Sequence, residues 1–292
     1  MKRSLKTLAF AAIWAATLPA MAQITASIQQ DGSLGTATIF QDAGLRPFEA
    51  SIVQRSGVAN RATLSQSGND AHVAITQSGD RHVAEVAQQV DGGHVTVLQG
   101  SGAGNVANVS QLGTLSGIAN VQQLGSNNQV LIDQNAFVVR ADVTQSGTGN
   151  QARVIQRGVM NQTVSVDQHG TNHRADVEVI DNASASIVQR GSDHVAILRG
   201  YGAQFVVEQE GTANEADITL DGQGSSGTIH QHGTGNKGFI VSVGDGNVAT
   251  IRQGGENNVA RIDQNGGGLT ATILQNTRSP GYGNIASIIQ RH

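Results

Sequence analysis

The chain has 292 residues, with 22 Asp and Glu against 18 Lys and Arg, a formal net charge of −4, and no cysteine. An acidic chain is a poor match for nucleic acid, whose phosphates call for clustered Lys and Arg, and a cysteine-free chain holds no disulfide framework. With 37 Gly, 3 Pro and 3% aromatic residues it also lacks the large side chains that fill an ordinary globular core, so the expected solution is a repeat architecture in which each unit packs only on its neighbours.

Residues 1–22 read as a secretory signal peptide. Lys2, Arg3 and Lys6 form a basic start, Leu8 to Leu18 is apolar, and Ala20-Met21-Ala22 is a small-x-small cleavage site. The apolar run is too short to span a bilayer. Removing its three basic residues from the 18 leaves 15 against 22 acids, so residues 23–292 carry a formal charge of −7.

From Gln30 to Gln290 one pattern recurs about every eleven residues: a small residue, an aliphatic one two places later, and usually Gln two places after that. Of the 24 Gln positions, or slots, 20 hold Gln, and two residues before every slot stands Ile, Val or Leu. In the odd-numbered units the slots are Gln30, Gln54, Gln77, Gln99, Gln123, Gln145, Gln168, Gln189, Gln209, Gln231, Gln253 and Gln275, without a break. In the even-numbered units they are Gln41, Gln66, Gln88, Gln111, Gln134, Gln156, Val179, Arg199, Leu220, Ser242, Gln264 and Gln290, so four successive units lack Gln.

Within a unit the positions six, four and two before the slot, and the slot itself, share one parity, so an extended chain points all four to one face. From Gln145 to Gln156 the inward set is Asn150, Ala152, Val154 and Gln156, and Gln151, Arg153 and Ile155 point outward. Glycine stands two places after the slot in 15 of 23 units, which marks turns that need positive φ. Each unit is therefore a strand of about six residues and a turn of about five, and no helix is indicated after residue 22.

Successive units alternate. Asn six places before the slot occurs at Asn60, Asn105, Asn128, Asn150, Asn214, Asn236, Asn258 and Asn284, all in even-numbered units, with Asn247 the one exception. The true repeat is thus a pair of strands, roughly 22 residues, occurring twelve times. The expected fold is all-β: a parallel β-solenoid of strand-turn-strand rungs with two facing sheets, amyloid-like in its cross-β stacking, and about 55 Å long at the ~4.8 Å strand spacing. The Gln and Asn positions named above are the candidate functional residues, as a structural ladder in which each amide bonds to the rung above and below. Arg199 reads as an inward residue near inward Asp193, Phe205 and Tyr201, which makes 171–209 a degenerate patch, either a weak point or a site for a partner.

Gln145-x-Gly147-x-x-Asn150-x-Ala152-x-Val154-x-Gln156 and Gln253-x-Gly255-x-x-Asn258-x-Ala260-x-Ile262-x-Gln264 resemble the repeat of curlin, the subunit of bacterial curli fibres. The resemblance runs through essentially all of 23–292. It departs where curlin repeats open with an inward Ser six residues before the first Gln: Ala71, Gly93, Val139, Ala183 and Leu269 stand there, and only Ser225 matches. The chain also has more repeats than familiar curlins, and a separate non-repeat segment before Ile24 is not expected. The resemblance implies a secreted functional amyloid that crosses the outer membrane unfolded through a dedicated pore and joins an extracellular cell-surface fibre supporting biofilm and adhesion. Its implied partners are further copies of itself, a nucleator or second curlin-type subunit, and the secretion pore.

Arg61, Arg153, Arg174 and Arg261 are either gatekeepers against lateral aggregation or an ordinary solvated face. His72 and His94 should stack on successive rungs. His230 and His232 share an outer face, but two ligands fall short of a metal site. Two turns carry insertions, at 43–49 around Arg46-Pro47 and at 276–284 around Ser279-Pro280-Gly281. No nucleophile-elbow motif, calcium-binding Gly-Gly-x-Gly-x-Asp turn or regular outward Thr array is present, so an enzyme, a calcium-binding β-roll and an ice-binding solenoid are all disfavoured, and no catalytic, cofactor or metal residue is assigned. The serious alternative is a secreted β-solenoid adhesin that does not polymerise.

Overall fold

The computed structural model describes residues 10–15, 24–42, 47–159, 161–276 and 283–292. They form 25 strands numbered in chain order, from β1 (Phe10–Ala15), β2 (Ile24–Gln30) and β3 (Thr36–Asp42) to β24 (Thr270–Asn276) and β25 (Ile285–Arg291). Odd-numbered strands make one 13-stranded sheet and even-numbered strands a second of 12, each in sequence order, and the pairings are parallel throughout. Strands β2 to β25 number 24, which is 12 two-strand turns. The chain is a parallel β-solenoid, all-β, with no helix among the described residues.

Parallel stacking at a constant repeat sets like on like. In the 12-stranded sheet β12 (Val139–Thr148) pairs with β14 (Gln162–Thr171), placing Val143 beside Val166 and Gln145 beside Gln168. The core is one thin layer of Ala, Val, Ile and Leu. Val121, Val143, Val166, Ile187 and Val207 of one sheet and Val109, Ile132, Val154 and Val177 of the other are at most 2% exposed. Each such side chain contributes about 1.5–3 kcal/mol when fully buried. Ile155 has outward parity yet is only 4% exposed; its register neighbours are Asp133 and Glu178, and Arg157 reaches across to Asp133 at 3.2 Å.

The turns need glycine where they stack. Gly147, Gly170, Gly191 and Gly211 have φ between +108° and +134°, and a Cβ on Gly191 would lie 2.0 Å from the carbonyl oxygen of Gly211. Glycine is required there by both backbone conformation and close approach.

One expectation is overturned. The repeat from Gln189 to Gln209 is only 20 residues long, and the strand between them contracts to β17 (Val195–Ile197). β17 pairs with β15 (Arg174–Ile180) so that Ala175 meets Ala196. The inward aliphatic residue is therefore Leu198, 0% exposed, and not Ile197. The place beside Val179 falls to Gly200, where a Cβ would meet the Val179 Cα at 3.0 Å. Arg199 points outward, with its side chain 50% exposed and 3.6 Å from Asp217. Asp193 is exposed on a turn at φ +56° and Tyr201 is half-buried, so of the three residues expected inside only Phe205 is in the core.

Residues 10–15, within the segment read as a signal peptide, lie as β1 along the edge of β3, in register from Phe10 with Thr36 to Ala15 with Gln41. The rest of that segment, and most of the two insertions (43–46 and 277–282), lie outside the described residues. No described helix is long and apolar enough to cross a membrane.

Gly191→Ala is expected to lower stability by at least ~1–3 kcal/mol, the cost of holding a side chain in that backbone region, seen as a lower denaturant midpoint. Arg199→Gln, on the outer face, should shift it by no more than about 0.5 kcal/mol; a large loss would return Arg199 to the interior.

Candidate functional site

In the 12-stranded sheet the glutamines form one continuous chain of side-chain amides. Gln30 Nε2 donates to Gln54 Oε1 at 2.7 Å, and the same bond is repeated through Gln77, Gln99, Gln123, Gln145, Gln168, Gln189, Gln209, Gln231, Gln253 and Gln275 at 2.8–3.0 Å. The amides also reach across the core: Gln54, Gln77 and Gln145 donate to the carbonyls of Thr36, Arg61 and Gln129 on the facing sheet, at 2.9–3.0 Å. Each of these glutamines thus joins its own sheet along the column and the two sheets across it. An amide in a dry core costs free energy unless its donors and acceptor are all engaged, and identical stacking engages them.

The facing ladder is interrupted. Gln41, Gln66, Gln88, Gln111, Gln134 and Gln156 are linked at 2.7–3.0 Å, and the chain then stops at Val179, Gly200, Leu220 and Ser242 before Gln264 bonds Gln290 at 2.9 Å. Ser242 Oγ and Gln264 Oε1, at the resumption, are buried without a partner.

Residues 244–276, which take in β22 (Val248–Glu256), β23 (Val259–Asn265) and β24, match the family model of the curlin associated repeat. The chain carries a curlin associated repeat. No curated protein matches the chain. In the matched repeat Gln253 and Gln264 hold the slot positions of the two ladders and Asn258 lies between them in sequence. The same arrangement of Gln, Asn and Gln holds at Gln145, Asn150 and Gln156, outside the matched residues. The curlin repeat is associated with extracellular curli fibres.

The asparagines form a third line, and sequence reasoning missed three of its members. The backbone N–H of each residue in the series Asn60, His82, Asn105, Asn128, Asn150, His173, His194, Asn214, Asn236, Asn258 and Asn284 donates to the side chain of the one before it, at 2.9–3.4 Å. His82 and His173 stand six places before their slots, where other repeats have Asn, and His194 does so once the slip to Gly200 is included.

The imidazole supplies the acceptor of the amide and one of its two donors. Asn128, Asn150, Asn214 and Asn236 donate from Nδ2 to the carbonyl four residues back, at 3.0–3.2 Å, and the Nε2 atoms of His82, His173 and His194 pair with the carbonyls of Ser78, His169 and Arg190 at 2.9–3.1 Å. Nδ1 takes the place of the Asn Oδ1 as acceptor. Those bonds fix the neutral Nε2–H tautomer. All three rings are 0% exposed, and burial holds their pKa values below the ordinary one despite opposing backbone hydrogen bonds and nearby Asp80 or Asp193.

The outer faces carry charge. His72 and His94 stack with centroids 4.8 Å apart and planes 7° from parallel, as their register requires. His230 and His232 share an outer face, and their Nδ1 atoms lie 2.8 and 3.2 Å from Glu208 and Glu210. Among the described residues no group of three or more His, Asp or Glu is placed to hold a metal. Arg61, Arg153, Arg174 and Arg261 pair with Glu85, Asp176, Asp176 and Asp263 at 2.8–3.7 Å. Such exposed pairs stabilise by ~0–1 kcal/mol.

Gln134 is bonded by Gln111, Gln156 and the Ile118 carbonyl at 2.7–3.0 Å. Gln134→Leu strands those groups, each at roughly 1–3 kcal/mol, and should lower the unfolding midpoint far more than Arg199→Gln does.

Proposed function

We propose that this chain is a structural subunit of an extracellular functional amyloid, a curli-like fibre that grows end to end and supports biofilm matrix and surface adhesion. The observation that carries this reading is the direction of the glutamine ladders. Each Nε2 donates to the Oε1 one turn further along the chain, so acceptors face out at the first turn and donors at the last. Gln41 Oε1, at the first turn, is buried without a partner.

A second copy stacked in the same register completes this pattern. Its β2 and β3 would lie on β24 and β25, bringing Gln30 to Gln275 and Gln41 to Gln290, Ile28 to Ile273 and Ile39 to Ile288, with Asp42 beside Arg291. Ala26 and Ile28 on the first turn and Ala286 and Ile288 on the last are inward yet only partly buried, apolar surface that stacking would cover. The curlin associated repeat supports the same reading.

On this reading residues 1–22 are removed on export and 23–292 form the repeat domain. The mature chain leaves through an outer-membrane pore and assembles with its own kind and with a nucleator or second curlin-type subunit, the Gln and Asn ladders serving as its functional residues. In the full-length chain β1 occupies the β3 edge that a second copy's β25 would take, so loss of the leader is also what frees the seat.

The mature chain, freshly freed of denaturant, should show a thioflavin T lag that preformed seeds abolish, with unbranched fibres by electron microscopy. A flat trace with a stable β-rich monomer would support a non-polymerising adhesin instead.

A further inference from the structure

We propose that the column contains an acid-labile joint at His173 and His194, where protonation of the two rings opens the turns built from β14 to β17 while the turns on either side stay closed. This concerns the column itself and does not depend on fibre assembly.

Three independent features coincide at this place. The rings of His173 and His194 are buried and stacked, with centroids 5.0 Å apart and planes 5° from parallel. Adjoining strand β17 has only three residues. The Gln ladder of that sheet is missing at Val179, Gly200, Leu220 and Ser242, so no side-chain amide holds these turns together on that side. His82 has the same bonds, but it is a single ring beside the intact run Gln66, Gln88 and Gln111.

The chemistry follows from the hydrogen bonds. Nδ1 of His173 accepts from the His194 N–H at 3.4 Å, and Nδ1 of His194 accepts from the Asn214 N–H at 3.2 Å. A proton on Nδ1 turns each acceptor into a donor facing a donor, in a dry site, and the second proton sets two like charges one strand spacing apart. The groups around the pair do little to offset this. Asn150 below and Asn214 above are not ionisable, and the carbonyls of His169, Arg190 and Gly191 are backbone. Asp193, on the turn between the rings, is the one carboxylate acting on both, and Asn172 already bonds it at 3.2 Å. On the outer sides of the same strands His169 is taken up by Ser146 and Asp167, and Arg174 by Asp176.

Burial lowers the pKa of both rings from the ordinary 6.5. Below that value the folded chain binds fewer protons than the unfolded chain, so the stability these rings contribute is complete above it and is lost as pH falls below it.

Hydrogen exchange with mass spectrometry on the repeat chain, corrected for intrinsic rates, tests this between about pH 7.5 and about pH 5. Protection over residues 171–200 should fall at least roughly tenfold more than protection over 117–148. His173→Asn with His194→Asn installs the residue other repeats carry there and should abolish the difference, while His82→Asn should leave it in place. Uniform loss along the column, no loss at 171–200, or an unchanged profile in the double variant would each overturn the proposal. Should the double variant fail to fold, the wild-type profile alone still decides between local and uniform opening.

Discussion

A primary amide has two donors and an acceptor, and in a core with no water all of them must be met by the protein. Here that demand is met by the neighbouring copy of the same residue one turn along, by the carbonyl of the facing strand, and at some turns by the carbonyl of the turn that follows. From this constraint the rest follows. The repeat length must stay nearly constant, because a slip would part each amide from its partner. The strands must run parallel, because only then does like fall beside like. The apolar layer can be as thin as Ala and Val because the glutamines themselves tie the two sheets together. Hydrophobic burial alone would leave such a thin column weak against the ~1–2 kcal/mol lost in ordering each residue's backbone.

The two ladders are not equivalent. One runs from Gln30 to Gln275 without a gap, and the other is replaced over four turns by Val179, Gly200, Leu220 and Ser242. The asparagine line bridges that gap, with two of its eleven members there being histidines. In a solenoid each turn is held mainly by its neighbours, so stability is close to a sum of local terms. A column with one continuous and one broken ladder is then uneven along its length, and its least secure region need not be at an end.

Much of this was legible in the sequence because period and parity are geometric. A Gln every eleven residues, with an aliphatic residue two before it, can place both inward only on stacked strands, and the register of β12 on β14 is the register the pattern implies. Two things were hidden. Counting by residue type kept the slot at Arg199 because Ile197 satisfied the pattern, whereas the contracted repeat moves the inward set to Leu198 and Gly200. His82, His173 and His194 were hidden because the match between an imidazole and a carboxamide is one of donor and acceptor positions. Residue names do not reveal it, although the spacing six before the slot would have revealed His82 and His173. Ile155 shows a third limit: parity says which way a side chain leaves the strand, not what neighbouring side chains do over it.

The strand-ladder bonds of this column and the Gln-to-Gln bonds beside them run from turn to turn along its axis. A pull along that axis therefore loads all the bonds of one turn together and shares the force among two strands, a glutamine or two and an asparagine. Rupture then belongs to the interface with the fewest bonds to share it. Beside β17, with three paired residues and no glutamine of that sheet's ladder at its turn, the column has its mechanical fuse.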